Sequence, residues 1–296
     1  MTGGRSAPDD DGAVRRFRNR WLLLGLFGVA VTVAAYLLAV RTATGQRLEN
    51  AALRGALQVN ADELSAADVA LARITVASLV FAVLMIALVG LIREGWWLAL
   101  AGVGTIGLPV VVTEVLKKLV LPRPDLAGAV DAPMHNSFPS GHTTIAMAVA
   151  CAVLVVVPWR WRTPVMVVVA FWAVGIGSYT VVARWHRASD TVGGNAVALA
   201  GAAVAALLLY RLGLIRPVRG GHARFRGLAV ILLGLFGAAA AVAGVLLTVV
   251  GAGQEAGETA DYNLFLGASA IASAGSIGAL LLAWYGWHRF ETMAGR

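Results

Sequence analysis

The chain has 296 residues, of which 59% are hydrophobic and only 14% are charged, and its formal net charge is +8. Soluble domains are nearer half apolar and a quarter charged, so this composition excludes an ordinary soluble domain. The apolar residues also form uninterrupted blocks of roughly the 20 residues needed to cross a bilayer. We therefore predict an all-α protein, a polytopic helical bundle in the membrane.

Residues 1–20 contain glycines, three consecutive aspartates and scattered arginines, which predict a disordered cytoplasmic tail. Eight apolar blocks follow and predict eight transmembrane helices: 21–40, 74–92, 96–116, 143–159, 164–183, 191–210, 227–250 and 264–287. The fourth block is short, and the third contains Pro109 and Glu114, so the ends of these two helices are the least defined.

The longest stretch between predicted spans is 41–73. Within it, Leu48, Ala51, Ala52 and Leu57 recur near helical spacing and predict a short helix. Two placements of this helix remain open at this point. It lies on the membrane surface, or it covers the outer face of the bundle as a lid.

Basic residues are unevenly distributed between the predicted loops. With the N-terminus in the cytoplasm, 15 of the 24 lysines and arginines fall on the cytoplasmic side, as the positive-inside rule requires. Eight spans also return the C-terminus to the cytoplasm. The basic excess therefore indicates membrane topology, and we expect no nucleic-acid partner.

A basic linker at 216–226 separates a six-helix core, 21–215, from a C-terminal pair of helices, 227–296. The last helix is rich in small residues, which permit close helix contacts. We predict that this pair is a packing or dimerisation appendage, through which the chain would form a homo-oligomer.

Three short motifs lie outside the apolar blocks or at their ends: "KKLVLPRPD" at 117–125, "PSGH" at 139–142 and "ARWHRASD" at 183–190. In the eight-helix topology the links that carry them, between helices three and four and between five and six, fall on the same outer face. We therefore predict that the motifs meet at one mouth of the bundle.

The second motif has the features of an anion site. Ser140 is a natural N-cap, and Gly141 lets the backbone approach a ligand at the positive end of the helix dipole. His142 titrates near neutral pH. Lys117 or Lys118 supplies a cation, and the guanidinium fork of Arg123 suits phosphate oxygens.

In the third motif, His186 and Asp190 are four residues apart and face one way on a helical turn. A carboxylate there would fix the imidazole tautomer and leave the other nitrogen free to attack. Each motif alone also has a simpler interpretation: lysines reaching the interface, a plain helix start, or a loop cluster in which Arg187 pairs with Asp190. Their coincidence on one face favours a catalytic site.

The three motifs resemble those of the type 2 phosphatidic acid phosphatases, the PAP2 or lipid phosphate phosphatase superfamily, over roughly 74–210. The resemblance implies a six-helix catalytic core with no metal and no other cofactor. It also implies that His186 is the nucleophile of a phosphohistidine intermediate, that Asp190 orients it, and that His142 protonates the leaving oxygen. The implied phosphate-binding groups are Lys117, Arg123, Ser140 and the Gly141 amide.

Two departures from the family pattern bear on this assignment. Five residues, and not the usual six, separate Lys117 from Arg123, which leaves the choice between Lys117 and Lys118 open. The arginine expected six positions before the nucleophilic histidine is replaced by Thr180. Arg184 is then a candidate to reach the same phosphate from another direction.

The resemblance implies a phosphatase in the bilayer whose partner is a membrane lipid phosphate or diphosphate, hydrolysed at the extracytoplasmic face. Polyprenyl diphosphate, phosphatidylglycerol phosphate and phosphatidic acid are the candidate substrates. Frequent Ala, Val, Gly and Arg indicate a GC-rich bacterial source, which favours the plasma membrane and an envelope lipid. The alternatives are a phosphoryl transferase with the same histidine, or a weakly catalytic lipid-phosphate binder because of Thr180.

Overall fold

The computed structural model describes residues 8–128, 136–218 and 224–293. In these ranges the chain is almost entirely helical, so the all-α prediction is confirmed. The α-helices are α1 Pro8–Ala35, α2 Ala43–Gly55, α3 Ala61–Ala72, α4 Val76–Glu94, α5 Trp96–Val115, α6 Gly141–Val156, α7 Trp159–Val182, α8 Ala188–Arg211, α9 Arg224–Gly253 and α10 Glu258–Gly286.

Three short turns and one small sheet complete the described chain. π-Helical turns extend α1 at Tyr36–Val40 and α5 at Leu116–Val120, and a 3₁₀ turn at Ala56–Gln58 follows α2. Strands β1 (Ile215–Pro217) and β2 (Phe290–Thr292) pair antiparallel.

Among the described residues, seven helices are long and apolar enough to cross a membrane: α1, α4, α5, α7, α8, α9 and α10. The remaining predicted span is α6, whose 16 residues measure about 24 Å. Large apolar side chains on the outer helices face away from the bundle; Leu235 and Phe236 of α9, for example, are both 63% exposed. Such surfaces suit lipid, and the protein is a polytopic membrane bundle.

Helix α6 lies at the centre of the bundle, between α5, α7 and α8. Its approach to α8 depends on Gly194, where a Cβ atom would lie 2.7 Å from the Ser140 carbonyl oxygen. The hydroxyl groups of Thr113 in α5 and Thr144 in α6 lie 3.0 Å apart and join these two helices. The N-terminus of α6 is therefore fixed between α5 and α8.

The prediction of a disordered tail over 1–20 is wrong for residues 8–20, which form the first turns of α1. The physical reason is aromatic packing: Phe17 is fully buried, with ring centroids 5.3 Å from Trp287 and 5.0 Å from Phe290. Residues 1–7 lie outside the described ranges. These contacts place the start of α1 and the end of α10 at the same end of the bundle.

The division into a six-helix core and a two-helix appendage does not describe α10. This helix packs against α2, α7 and α8 as well as α9, because its small residues allow close contact. Asn195 of α8 donates a hydrogen bond of 2.9 Å to the hydroxyl of Ser276, and a Cβ on Gly177 of α7 would lie 2.7 Å from that hydroxyl. Of the last two helices, α9 is the peripheral one, and its role in an oligomer stays a prediction.

The predicted linker, 216–226, is partly ordered. β1 occupies its start and pairs with β2, α9 begins at Arg224, and residues 219–223 lie outside the described part of the chain. Nearby, the buried side chain of Arg162 donates hydrogen bonds to the carbonyl groups of Leu154 and Phe290, both at 2.8 Å. The end opposite the three motifs is therefore closed by the C-terminal strand.

Candidate active site

The three motifs meet at one end of the bundle, as predicted. The ring centroids of His142, at the start of α6, and His186, before α8, lie 6.1 Å apart with the rings tilted by 58°. Trp185 stands edge-on to His142 with centroids 5.2 Å apart. Two imidazoles from distant parts of the chain therefore border the same space.

Asp190 supports His186 from the interior of the bundle. Its Oδ2 lies 3.4 Å from Nδ1 of His186, and its side chain is fully buried. The same oxygen accepts hydrogen bonds from the hydroxyl of Ser137 at 2.6 Å and from the backbone N–H of Arg187 at 2.9 Å. The carboxylate of Asp190 therefore faces Nδ1 of His186 and not Nε2.

Ser140 caps α6, as predicted: its side chain accepts a hydrogen bond from the Thr143 N–H at 3.3 Å. Its own N–H donates to the Asp190 carbonyl at 2.9 Å, which joins the second and third motifs through the backbone. Gly141 forms the first turn and remains partly exposed. The helix therefore presents its positive end beside the two histidines.

The side chain of Lys117, and not that of Lys118, reaches the start of α6. A Cβ atom on Gly141 would be 3.7 Å from Nζ of Lys117. Lys118 is 70% exposed in its side chain and pairs with Glu114 at 2.9 Å. Asn136 donates a hydrogen bond of 2.8 Å to the Lys117 carbonyl, which supports the π-helical turn carrying the lysine. The structure therefore favours Lys117 as the cation of the first motif.

Arg123 is buried at the site and forms an ion pair with Glu49 of α2 at 3.3 Å. Its Nη1 is buried and has no hydrogen-bond partner among the described residues. A buried guanidinium nitrogen in this state is a ready donor to an anion, because an unsatisfied buried donor is costly.

Arg184 and Arg187 occupy different environments. Arg184 is exposed, with a positive φ of 59°, and makes no hydrogen bond through its side chain within the described ranges. Arg187 is only 5% exposed and bonds to Ser137 and Asn50. That Arg184 reaches the phosphate stays a prediction, whereas Arg187 is part of the polar network of the site.

Thr180, where the family pattern has an arginine, is fully buried between α7 and α8. Its carbonyl accepts a hydrogen bond of 3.0 Å from the His186 N–H, so it shapes the backbone that carries the histidine.

Residues 95–214 match the sequence profile of the PAP2 superfamily, and this segment contains all three motifs. This segment is therefore similar to the PAP2 superfamily. No curated protein and no solved structure matches it. The PAP2 segment comprises α5 to α8, so α2, which contributes Glu49 to the site, and α10 lie outside it.

Sequence reasoning missed the polar face of α2 at this PAP2 site. Gln46, Glu49 and Asn50 are spaced i, i+3 and i+4 and face one way, a pattern visible in the sequence but without a known target. Of the two open placements for this helix, the structure shows the lid, because all three side chains bond to residues of the site loops.

Proposed function

We propose that the protein is an integral membrane phosphatase that hydrolyses a lipid phosphate or diphosphate through a phosphohistidine intermediate. Members of the PAP2 superfamily are generally phosphatases, so the match of residues 95–214 supports phosphatase activity. The observation that carries the proposal is the pairing of His142 and His186 at one mouth, with buried Asp190 behind His186.

In the proposed reaction, Nε2 of His186 attacks phosphorus and forms a P–N bond as the P–O bond to the leaving group breaks. Protonated His142 gives its proton to the leaving oxygen. Water then attacks the phosphohistidine and His142 takes a proton from it, which releases inorganic phosphate and restores both imidazoles. Asp190 stabilises the positive charge that His186 acquires.

The charges around the mouth suit a phosphoryl group. Lys117 and Arg123 supply fixed positive charge, and Ser140 with the Gly141 amide adds the positive end of α6. Phosphoryl transfer depends mainly on alignment and on stabilisation of negative charge. We propose these four residues as the phosphate-binding set and Lys117 as its lysine.

A lateral groove beside the mouth supports a lipid substrate. It has a volume of about 650 Å³ and lies between α3, α4 and α7, with α6 as its floor. Ile145 and Val149 line that floor, and with His142 they are spaced i, i+3 and i+7 along one face of α6. A hydrocarbon chain lying in the groove would therefore point its phosphate towards His142.

We propose a bacterial plasma membrane location with both termini cytoplasmic and the site extracytoplasmic. The shared position of the start of α1 and the end of α10, together with the charge distribution, supports it. Polyprenyl diphosphate, phosphatidylglycerol phosphate and phosphatidic acid are the substrates to test first.

The test offers these three lipids to the purified protein in detergent with a chelator present, and measures free phosphate. We expect release that persists in chelator and is lost in His186→Ala. His288→Ala, at the opposite end of the bundle, is the matched control. A labelled substrate should leave an acid-labile, alkali-stable phosphoryl group on the protein.

Three results would contradict the proposal. A requirement for a divalent ion would exclude the metal-independent reaction. Transfer to an added alcohol without phosphate release would identify a transferase. Binding of the lipids without turnover would identify a binder, the outcome that Thr180 at the arginine position favours.

A further inference from the structure

The polar face of α2 contacts the two segments that carry Arg123 and Arg187. Gln46 donates hydrogen bonds to the carbonyls of Val40 at 2.8 Å and Pro124 at 2.7 Å, and accepts one from the Leu126 N–H at 3.1 Å. These contacts hold the segment on which Arg123 lies. At its other end, α2 is tied to α10 by two hydrogen bonds.

Glu49, one turn further along α2, bridges two parts of the site. One carboxylate oxygen accepts from Nη2 of Arg123 at 3.3 Å, and the other accepts from the Ser189 N–H at 3.1 Å. This arrangement fixes one edge of the Arg123 guanidinium and leaves Nη1 without a partner in the described chain. The carboxylate therefore sets the direction in which Arg123 can donate.

Burial raises the pKa of Glu49, and the carboxylate of Asp190 raises it further, while Ser189, Arg123 and Arg187 act in the opposite direction. An ionised carboxylate at this position opposes folding unless its partners compensate fully. Its presence is therefore better explained by the placement of Arg123 than by a contribution to stability.

Asn50 accepts a hydrogen bond from Arg187, as Glu49 accepts one from Arg123. Its Oδ1 accepts a hydrogen bond of 3.1 Å from Nη2 of Arg187, and Ser137 accepts one of 3.3 Å from Nη1. Nε of Arg187 is buried and has no partner in the described ranges. Burial lowers the pKa of Arg187 most, and the positive charge of Arg123 lowers it further. This indicates that the two guanidinium groups are close enough to repel each other.

We propose that α2 is a positioning element for phosphate binding, in which Glu49 orients Arg123 and Asn50 orients Arg187, and that Arg187 supplies the guanidinium absent at Thr180. The proposal rests on the phosphatase function, but it concerns residues outside the PAP2 segment as well as within it. A phosphoryl group would relieve the repulsion between the two arginines and satisfy their free nitrogens.

The test uses vanadate, a phosphate analogue, and measures its dissociation constant on the purified full-length protein by calorimetry. Glu49→Gln should weaken binding about tenfold, the usual scale for a lost hydrogen bond to a charged group. In an Arg123→Gln background, the same change should have an effect of less than about twofold, because the pair acts as a unit. Asn50→Leu and Arg187→Gln should each weaken binding about tenfold, and Asn50→Leu should have an effect of less than about twofold in an Arg187→Gln background. Asn50→Asp should retain binding.

Arg47→Gln, on the exposed face of α2, is the matched control and should leave binding unchanged. Equal effects of Glu49→Gln in both backgrounds would show a merely structural role and overturn the proposal, as would tighter binding in Glu49→Gln or unchanged binding in Arg187→Gln. Vanadate binding without hydrolysis of any lipid would overturn the phosphatase and leave the role of α2 intact. A wild-type protein that binds no vanadate would overturn both.

Discussion

The hydroxyl groups of Thr180 and Thr191 lie 3.1 Å apart, so the position at which the PAP2 pattern has an arginine is inside the α7–α8 interface. Thr180 also donates to the Gly177 carbonyl at 2.7 Å. The hydroxyl of Thr180 thus makes its hydrogen bonds within the bundle, and the side chain does not point to an open mouth.

Replacing Thr180 by the arginine of the family pattern should therefore not increase activity. Thr180→Arg would force a long charged side chain into a fully buried position, and overpacking with an unpaired charge typically costs several kcal/mol. We expect a lower melting temperature in detergent and no gain in phosphate release. Thr180→Ser, which keeps the hydroxyl, is the control. Higher activity in Thr180→Arg with unchanged stability would show that the arginine is simply missing.

Ser137 should matter for turnover although no sequence motif marked it. Its hydroxyl donates to Asp190 at 2.6 Å and accepts from Arg187. Ser137→Ala removes one hydrogen bond from each of these two charged groups, and a lost hydrogen bond to a charged group is worth about 1.5–3 kcal/mol. We expect kcat to fall about tenfold or more with a smaller change in KM. Equal activity in wild type and Ser137→Ala would remove this serine from the site.

The sequence was sufficient to predict the eight membrane helices and the motif residues, because apolar blocks of about 20 residues and short local motifs are visible without tertiary information. The convergence of His142 and His186 followed from topology alone. The roles of Glu49 and Asn50 did not, since each depends on a contact with a residue more than 70 positions away. The same limit applies to Phe17, whose partners Trp287 and Phe290 are at the other end of the chain.

The groove along α6 should set the preference for long hydrocarbon chains. Gly175 lines it, and Gly175→Trp would fill part of its volume without touching the histidines. We expect KM for a long-chain lipid phosphate to rise about tenfold, while a short-chain, water-soluble phosphate ester is hydrolysed as before. Val168→Trp, at an exposed position of the same helix, is the control. An equal loss on both substrates would show damage to the site instead.

Because the pKa of Glu49 is raised in the folded state, the free energy of unfolding depends on pH. The cause is burial, followed by repulsion from Asp190, so the folded state holds the Glu49 proton more tightly than the unfolded state does. The contribution of this group is then most favourable below the unfolded pKa of about 4.3, and it is lost as pH rises through the folded value. Glu49→Gln does not titrate. The difference in melting temperature, variant minus wild type, should therefore increase as pH rises from about 4 to 8. A difference that is constant across this range, or that decreases, would show that the ion pair with Arg123 outweighs the burial of the carboxylate.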